Sequence, residues 1–243
     1  MTVQPTLMLI ADIAGYTKFM KFHSASLAHA QEIVARLLEV VIDAAGPSLR
    51  LAKLEGDAAF FYMPVPKDGT LDPALIAGHA AAIYRAFHIR AADLRVNTLC
   101  PCDGCQQSGN LKIKLVGHVG GVAMQKVKQL TELAGVDVIV VHRMLKNAVP
   151  VPEYLLMTKP VHAMIGSPLH ERAAPLTLDL DDIGPTEAYY LDLTAWTDAL
   201  PPPRKLSPWR RLVRHVSLGL RTLPRELGLR KSCVGFRNVP DAS

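Results

Sequence analysis

The sequence predicts an α+β fold: a ferredoxin-like sandwich with an antiparallel-rich sheet, helices on one face of it, and a basic helical tail beyond. Three observations lead there. Segments of strand and helix character alternate as strand, helix, hairpin, helix, strand, helix, strand along the first part of the chain. Their apolar residues switch between a period near 3.6 and a period of 2. With 243 residues and 49% hydrophobic content, the chain can bury a substantial core.

Each element has its own signal. Leu7–Ala11 is an unbroken apolar run, the mark of a buried strand. From Lys18 to Ala45, Leu27, Ile33, Val34, Leu37, Leu38, Val41 and Ile42 recur at helical spacing, and Gly46-Pro47 ends the pattern. "LRLAKLEGDAAFFYMP" (Leu49–Pro64) reads as a hairpin with Glu55-Gly56-Asp57 at its tip. Pro73 to Arg95 predicts a second helix. "CPCDGCQQSG" reads as a loop, and Leu111 to Val116 alternates as a half-buried strand does. A further helix is expected over Val136 to Asn147, with short strands at Tyr154–Met157 and Tyr189–Asp192.

Composition sets limits on function. The net charge of +5 is uneven: from Arg204 onward there are ten Lys/Arg against two Asp/Glu, leaving seventeen against twenty before it. The basic character therefore belongs to the tail. "PPPRKLSP" reads as a linker, giving an expected domain at 1–200 and an appendage at 201–243. No apolar run approaches the roughly eighteen residues of a membrane span. The first Lys is Lys18, and Leu7–Ala11 is too short for a signal core, so a cytoplasmic location is expected.

Two carboxylates stand out. Asp12 ends the first strand and Asp57 sits at the hairpin tip. Taken singly, Asp12 reads as a helix cap and Asp57 as a turn residue. In this topology the strand and hairpin are neighbours, so the two can converge. Converging carboxylates repel unless a cation lies between them, and a hard divalent cation that also binds phosphates suits them.

At this point the sequence resembles the class III adenylate and guanylate cyclases. "LIADIAGYTKFM" is similar to their opening strand, "KLEGDAAFFYMP" to their hairpin, and "LKIKLVGHVGG" followed by "ELAGVDVIVVHRM" to their later strand and helix. The three motifs occur in the family's order over Leu7 to Asn147, and a bacterial branch of the family also carries clustered cysteines before the later strand. The resemblance implies a homodimer that binds a nucleoside triphosphate with two Mg²⁺ or Mn²⁺ ions and forms a cyclic nucleotide and pyrophosphate. It implies Asp12 and Asp57 as metal ligands, assisted by the Ile13 carbonyl, with the backbone at Gly15, Tyr16 and Thr17 facing the phosphates. Lys53 and Glu132 fall at base-reading positions, Lys53 in the adenylyl form that implies ATP. Arg143 falls on the Arg that steadies the transition state. The sequence departs from the family at Ile139, where the pattern has an Asn that donates a hydrogen bond. Losing one such donor commonly costs on the order of a hundredfold in rate. The stretch from Gly121 to Glu132 is also shorter than in the family. The alternative is a catalytically inactive cyclase-fold regulatory or ligand-sensing module.

Two further features stand outside that pattern. Cys100, Cys102 and Cys105 are either three ligands of a structural Zn²⁺, with Cys233, His88 or His118 as the fourth, or a cluster of reduced thiols. Ser207–Leu227 reads as an amphipathic helix, with Trp209, Leu212, Val213, Val216 and Leu220 on one side. It suits contact with an anionic membrane surface or packing on the protein itself. Nucleic-acid binding is disfavoured, since aromatic residues are not interleaved with the basic ones.

Overall fold

The computed structural model describes residues 3–22, 27–66, 69, 71–99, 107–127, 130–167, 169–213 and 216. Strand β1 (Val3–Ala14) lies at the centre of an eight-stranded sheet. On one side it pairs antiparallel with β3 (Ala58–Pro64), which pairs with the edge strand β2 (Arg50–Glu55). On the other side it pairs antiparallel with β4 (Lys112–Val127), whose far end carries β5 (Leu130–Ala134). Beyond β4 come β6 (Tyr154–Thr158), β8 (Gly184–Asp192) and β7 (Ala174–Leu180). The β4–β6 pairing is parallel, and every other pairing is antiparallel.

Both faces of the sheet are covered, where the sequence reading expected helices on one face, and this two-sided burial explains the unbroken apolar run in β1. Leu7, Leu9, Ala11 and Ile13 point into the larger core, beneath α2 (Leu27–Ala45) and α3 (Pro73–Asn97). Ala30, Val34, Leu37, Val41 and Ala45 form the buried stripe of α2. Helix α3 starts at a proline, where a missing N–H costs nothing, and the Asp72 side chain accepts from the Ala74 N–H at 2.9 Å. It buries Ile76, Ala80, Ile83, Tyr84 and Phe87. Met8 and Ile10 face the opposite core, formed with Phe60, Val116 and the helix α4 (Val136–Arg143).

The α+β class and the antiparallel-rich sheet follow the sequence reading. Several elements differ. The described residues of the first predicted helix belong to α1 (Tyr16–Phe22), which begins before Lys18, and to α2. Helix α4 ends at Arg143, before Asn147, because the Asn147 amide turns back to donate to the Met144 carbonyl at 2.8 Å. Strand β5 and the short helices α5 (Lys159–Met164) and α6 (Leu169–Arg172) carry little apolar periodicity of their own, whereas Leu176, Leu178 and Leu180 alternate along β7 (Ala174–Leu180), a strand signal absent from the expected elements. At the expected linker the buried Asn97 amide donates to the Arg204 carbonyl and accepts from the Leu206 N–H, each at 2.9 Å. The cysteine loop at 100–105 and the tail from 217 lie outside the described residues. No described helix is long and apolar enough to cross a membrane.

Candidate active site

The pairing register brings the two predicted carboxylates together. Asp12 stands opposite Ala58 on β3 and Lys114 on β4, so the residue before Ala58, Asp57, flanks the end of β1. The Ile13 N–H donates to the Asp57 carbonyl at 3.1 Å and fastens the hairpin tip to the strand. Asp12 lies on the same face as Met8 and Ile10, beneath the α4 layer. Burial, and then the charge of Asp57, push its carboxyl up to about 6, with the Lys114 ammonium pulling the other way. Burial also raises Asp57, against the hydrogen bond to its own backbone. Both carboxyls thus sit where the charged form is disfavoured and added positive charge is favourable. Lys114 lies over the Tyr154 ring, 5.6 Å from its centroid, and the Tyr154 hydroxyl donates to Asn147 Oδ1 at 2.9 Å. Burial raises the Tyr154 phenol, and Asp12 adds to the shift.

Gly15, Tyr16 and Thr17 follow β1 directly. Gly15 has φ +90°, a conformation that side chains oppose, and its carbonyl accepts from the Phe19 N–H at 2.9 Å to start α1. The described residues hold no group of three or more His, Cys, Asp or Glu arranged around one point. The candidate donor set is therefore the two carboxylates and main-chain oxygen.

The other predicted residues gather around β2, β5 and α4. Lys53 Nζ meets Glu55 Oε1 at 2.7 Å, and His142 Nε2 meets the same oxygen at 2.9 Å. His142 Nδ1 donates to the Val138 carbonyl at 2.7 Å, and its ring meets Phe60 edge-on at 4.9 Å. Burial raises the Glu55 carboxyl, but the Lys53 and His142 partners outweigh it and hold it below the usual carboxylate range. Glu132 is exposed on β5, opposite Gln125. Ile139 is 50% exposed on α4, and Val136 is 68% exposed. Arg143 is turned toward the β7–β8 turn, where Nη2 donates to Asp182 Oδ2 at 2.8 Å and Nη1 donates to the Asp181 carbonyl.

Helix α4 is fixed to the sheet by a network that sequence reading missed. Asp137, in its first turn, accepts from the Gly121 N–H at 2.6 Å and meets His118 Nε2 at 2.9 Å. His118 Nδ1 meets the buried Thr158 hydroxyl at 2.9 Å. A side chain at Gly120 would place its Cβ 2.1 Å from Asp137 Cγ, so the carboxylate sits where only glycine leaves room. Gly135, with φ +147°, lets the chain pass so close to β4 that a Cβ would lie 2.8 Å from the Gly121 carbonyl oxygen. The "GHVGG" string was the one signal for this close approach. Glu55, His142 and Lys114 gave no signal, since their roles depend on register across separate strands. The two histidines proposed as a fourth zinc ligand are both engaged elsewhere. His118 lies in the network above, and His88 Nε2 meets Glu153 Oε1 at 2.7 Å. Cys233, the remaining proposed ligand, lies outside the described residues.

Comparison with known proteins bears on this arrangement. A family model described as "Protein of unknown function (DUF2652)" matches residues 34–154. The uncharacterized protein Rv2561/Rv2562 of Mycobacterium tuberculosis is 45% identical over 206 residues, covering 85% of this chain and 94% of that protein. Among solved structures, the adenylyl cyclase CyaB from P. aeruginosa superposes with a TM-score of 0.50 at 11% identity, over 85% of this chain and 98% of that one. The guanylyl cyclase Cya2 gives 0.51 at 13% identity, over 78% of this chain and 92% of that one. At these identities the likeness is one of fold: the sheet and its helices are those of the nucleotide cyclase domains.

Proposed function

Because this chain belongs to the family of the Mycobacterium tuberculosis protein Rv2561/Rv2562 and has the nucleotide cyclase fold, we propose that it binds a nucleoside triphosphate with divalent cations and cyclises it slowly. The observation that carries the reading is the Asp12–Asp57 pair, two carboxylates raised by burial at one end of the sheet. Their hard oxygen chemistry fits Mg²⁺ or Mn²⁺, with the Ile13 carbonyl as a further donor. When bound, such cations supply charge neutralisation at the phosphates and acidify a coordinated hydroxyl.

The chain's own residues divide the remaining work. The turn at Gly15, Tyr16 and Thr17 receives the phosphate chain. Lys53 and Glu132 read the base, with Lys53 favouring ATP. Arg143 neutralises charge that develops on the α-phosphate. In this reading two copies combine, and the Lys53–Arg143 side of one protomer faces the Asp12–Asp57 end of its partner. Exposed Val136 and Ile139 supply apolar surface for that contact. Ile139 has no group to donate to the ribose or the reacting phosphate, which makes turnover slow while leaving the acidic pair unaltered.

The test is direct. The purified protein is incubated with each of the four nucleoside triphosphates and Mn²⁺, and cyclic product and pyrophosphate are measured. The expected result is slow conversion of ATP that Asp57→Asn abolishes. Neither binding nor product with any of the four would overturn the reading. Binding with no product would leave a nucleotide-binding module.

A further inference from the structure

Just after the cyclase-like body the chain forms a short helix whose position and surface are both defined. Residues 208–213 are helical, and so is Val216. The segment leading in is held at the end of α3 by the paired hydrogen bonds of Asn97 with Arg204 and Leu206. The helix itself is tethered there too: Arg211 Nη2 donates to the Thr98 carbonyl at 3.3 Å. The Arg211 N–H donates to the Ser207 carbonyl at 3.0 Å, closing the first turn.

These contacts fix the rotation of the helix. With Arg211 turned inward, Trp209 is 72% exposed, Leu212 44%, Val213 50% and Val216 49%. Those four positions follow the i, i+3, i+4, i+7 spacing of a single helical stripe. Four exposed large apolar side chains at the spacing of one helical face, led by a tryptophan, are more than scattered exposure. The flanks are basic: Arg204, Lys205 and Arg210 are all exposed. From Arg204 to the end the chain carries ten Lys/Arg against two Asp/Glu.

We propose that this stripe docks on an anionic lipid surface, with Trp209, Leu212, Val213 and Val216 entering the headgroup–acyl boundary and the basic flanks meeting lipid phosphates. Charge selects this occupant. Two such tails repel each other, so a second copy is disfavoured as the cover. A nucleic acid would satisfy the basic groups and leave the apolar stripe in water. An anionic bilayer satisfies both at once, as amphipathic interfacial helices do.

The experiment uses the full chain and two vesicle preparations, pure phosphatidylcholine and phosphatidylcholine with about one third phosphatidylglycerol. The chain should co-sediment with the anionic vesicles at low salt and be released as salt rises. Tryptophan emission should shift to shorter wavelength on binding. Trp209→Phe should remove that shift and retain most binding, because the other tryptophan, Trp196, packs against Tyr84 in the fold. Leu212→Glu with Val213→Glu should reduce binding at least about tenfold. Both positions are exposed, so the thermal transition of this variant should match wild type, and a matched transition excludes misfolding as the cause. Unchanged binding by the double variant would overturn the proposal, as would equal binding to pure phosphatidylcholine. Failure to bind either vesicle, with self-association that the double variant abolishes, would also overturn it and make a second copy the occupant.

Discussion

Replacing Asp12 by Asn should stabilise the metal-free protein at neutral pH, and the size of the effect follows from the site. The Asp12 carboxyl stands at about 6 in the folded chain against an ordinary 3.8, raised by burial and by Asp57. A group raised on folding contributes its stability below its unfolded value and loses that contribution as pH rises through the folded value. At neutral pH the ionised carboxylate therefore works against folding. A displacement of about two units corresponds to about 3 kcal/mol. Asp12 is only partly buried, and solvent screening lowers this to about 1–2 kcal/mol. For a chain of this length that is a rise in Tm of roughly 2–8 °C. Thermal melts of both proteins from about pH 4.5 to 8, with and without Mn²⁺, provide the assay. The gap should be full above pH 6 and narrow as pH falls toward the ordinary carboxylate value of 3.8. Added Mn²⁺ should raise wild type and leave Asp12→Asn nearly unmoved. A variant less stable than wild type in metal-free neutral buffer would refute the reasoning, as would a gap that does not change with pH.

Three further substitutions probe other parts of the structure. Gly120→Ala places a Cβ 2.1 Å from Asp137 Cγ and must expel that carboxylate from the Gly121 N–H and His118. The expected loss is about 2–4 kcal/mol by urea unfolding, and a loss under about 0.5 kcal/mol would contradict the packing described. Glu153 is buried and accepts from His88 at 2.7 Å and the Ile113 N–H at 3.1 Å, with Lys112 at 3.6 Å. Burial raises its carboxyl, but these partners prevail and lower it, so its contribution holds above 4.5 and fades as pH falls. Glu153→Gln should cost about 3 kcal/mol at neutral pH and flatten that acid dependence, as urea midpoints across pH would show. Ile139→Asn restores a donor at a half-exposed helix position, so Mn²⁺-dependent cyclic product should form at least about tenfold faster with stability within about 0.5 kcal/mol of wild type.

The sequence revealed those parts of the fold whose physics is local. The apolar run of β1, the 3.6-residue stripe of α2 and the Gly56 turn each announce themselves within a few residues. The meeting of Asp12 with Asp57 was legible because a hairpin beside the first strand leaves its tip little choice of neighbour. Strands β5 and β7 were missed for different reasons: β5 borrows its pairing from the long β4, whereas the alternation of Leu176, Leu178 and Leu180 in β7, the last two buried, was a legible strand signal. The partners of the candidate site residues were hidden for a stricter reason. Glu55 meets His142 across 87 residues, and Arg143 meets Asp182 across 39. No periodicity encodes a contact between side chains that separate elements deliver from opposite directions.

Those partners bear on how a polyanion would be received. Lys53 and Arg143, the two cations assigned to substrate, are each held by an acid of the chain, Glu55 and Asp182. Asp182 is 87% exposed, and pairs of that kind contribute at most about 1 kcal/mol. A triphosphate carries more charge than Asp182 and arrives with its own cations, so displacing that acid from Arg143, the cation assigned to the α-phosphate, lowers affinity by about fivefold at most. In exchange the long side chains are held by a partner, and less rotamer entropy is lost when substrate replaces the acid. The arrangement around α4 follows the same logic. Its first turn is fixed through Asp137, His118 and Thr158, and its last turn through His142 and Glu55. The helix is thus held at both ends while Ile139 between them contributes no polar group. Strict positioning of a helix that presents an apolar side chain is what a binding surface needs, and transition-state stabilisation needs a donor there as well. On the reading proposed above, this arrangement favours binding over rapid turnover.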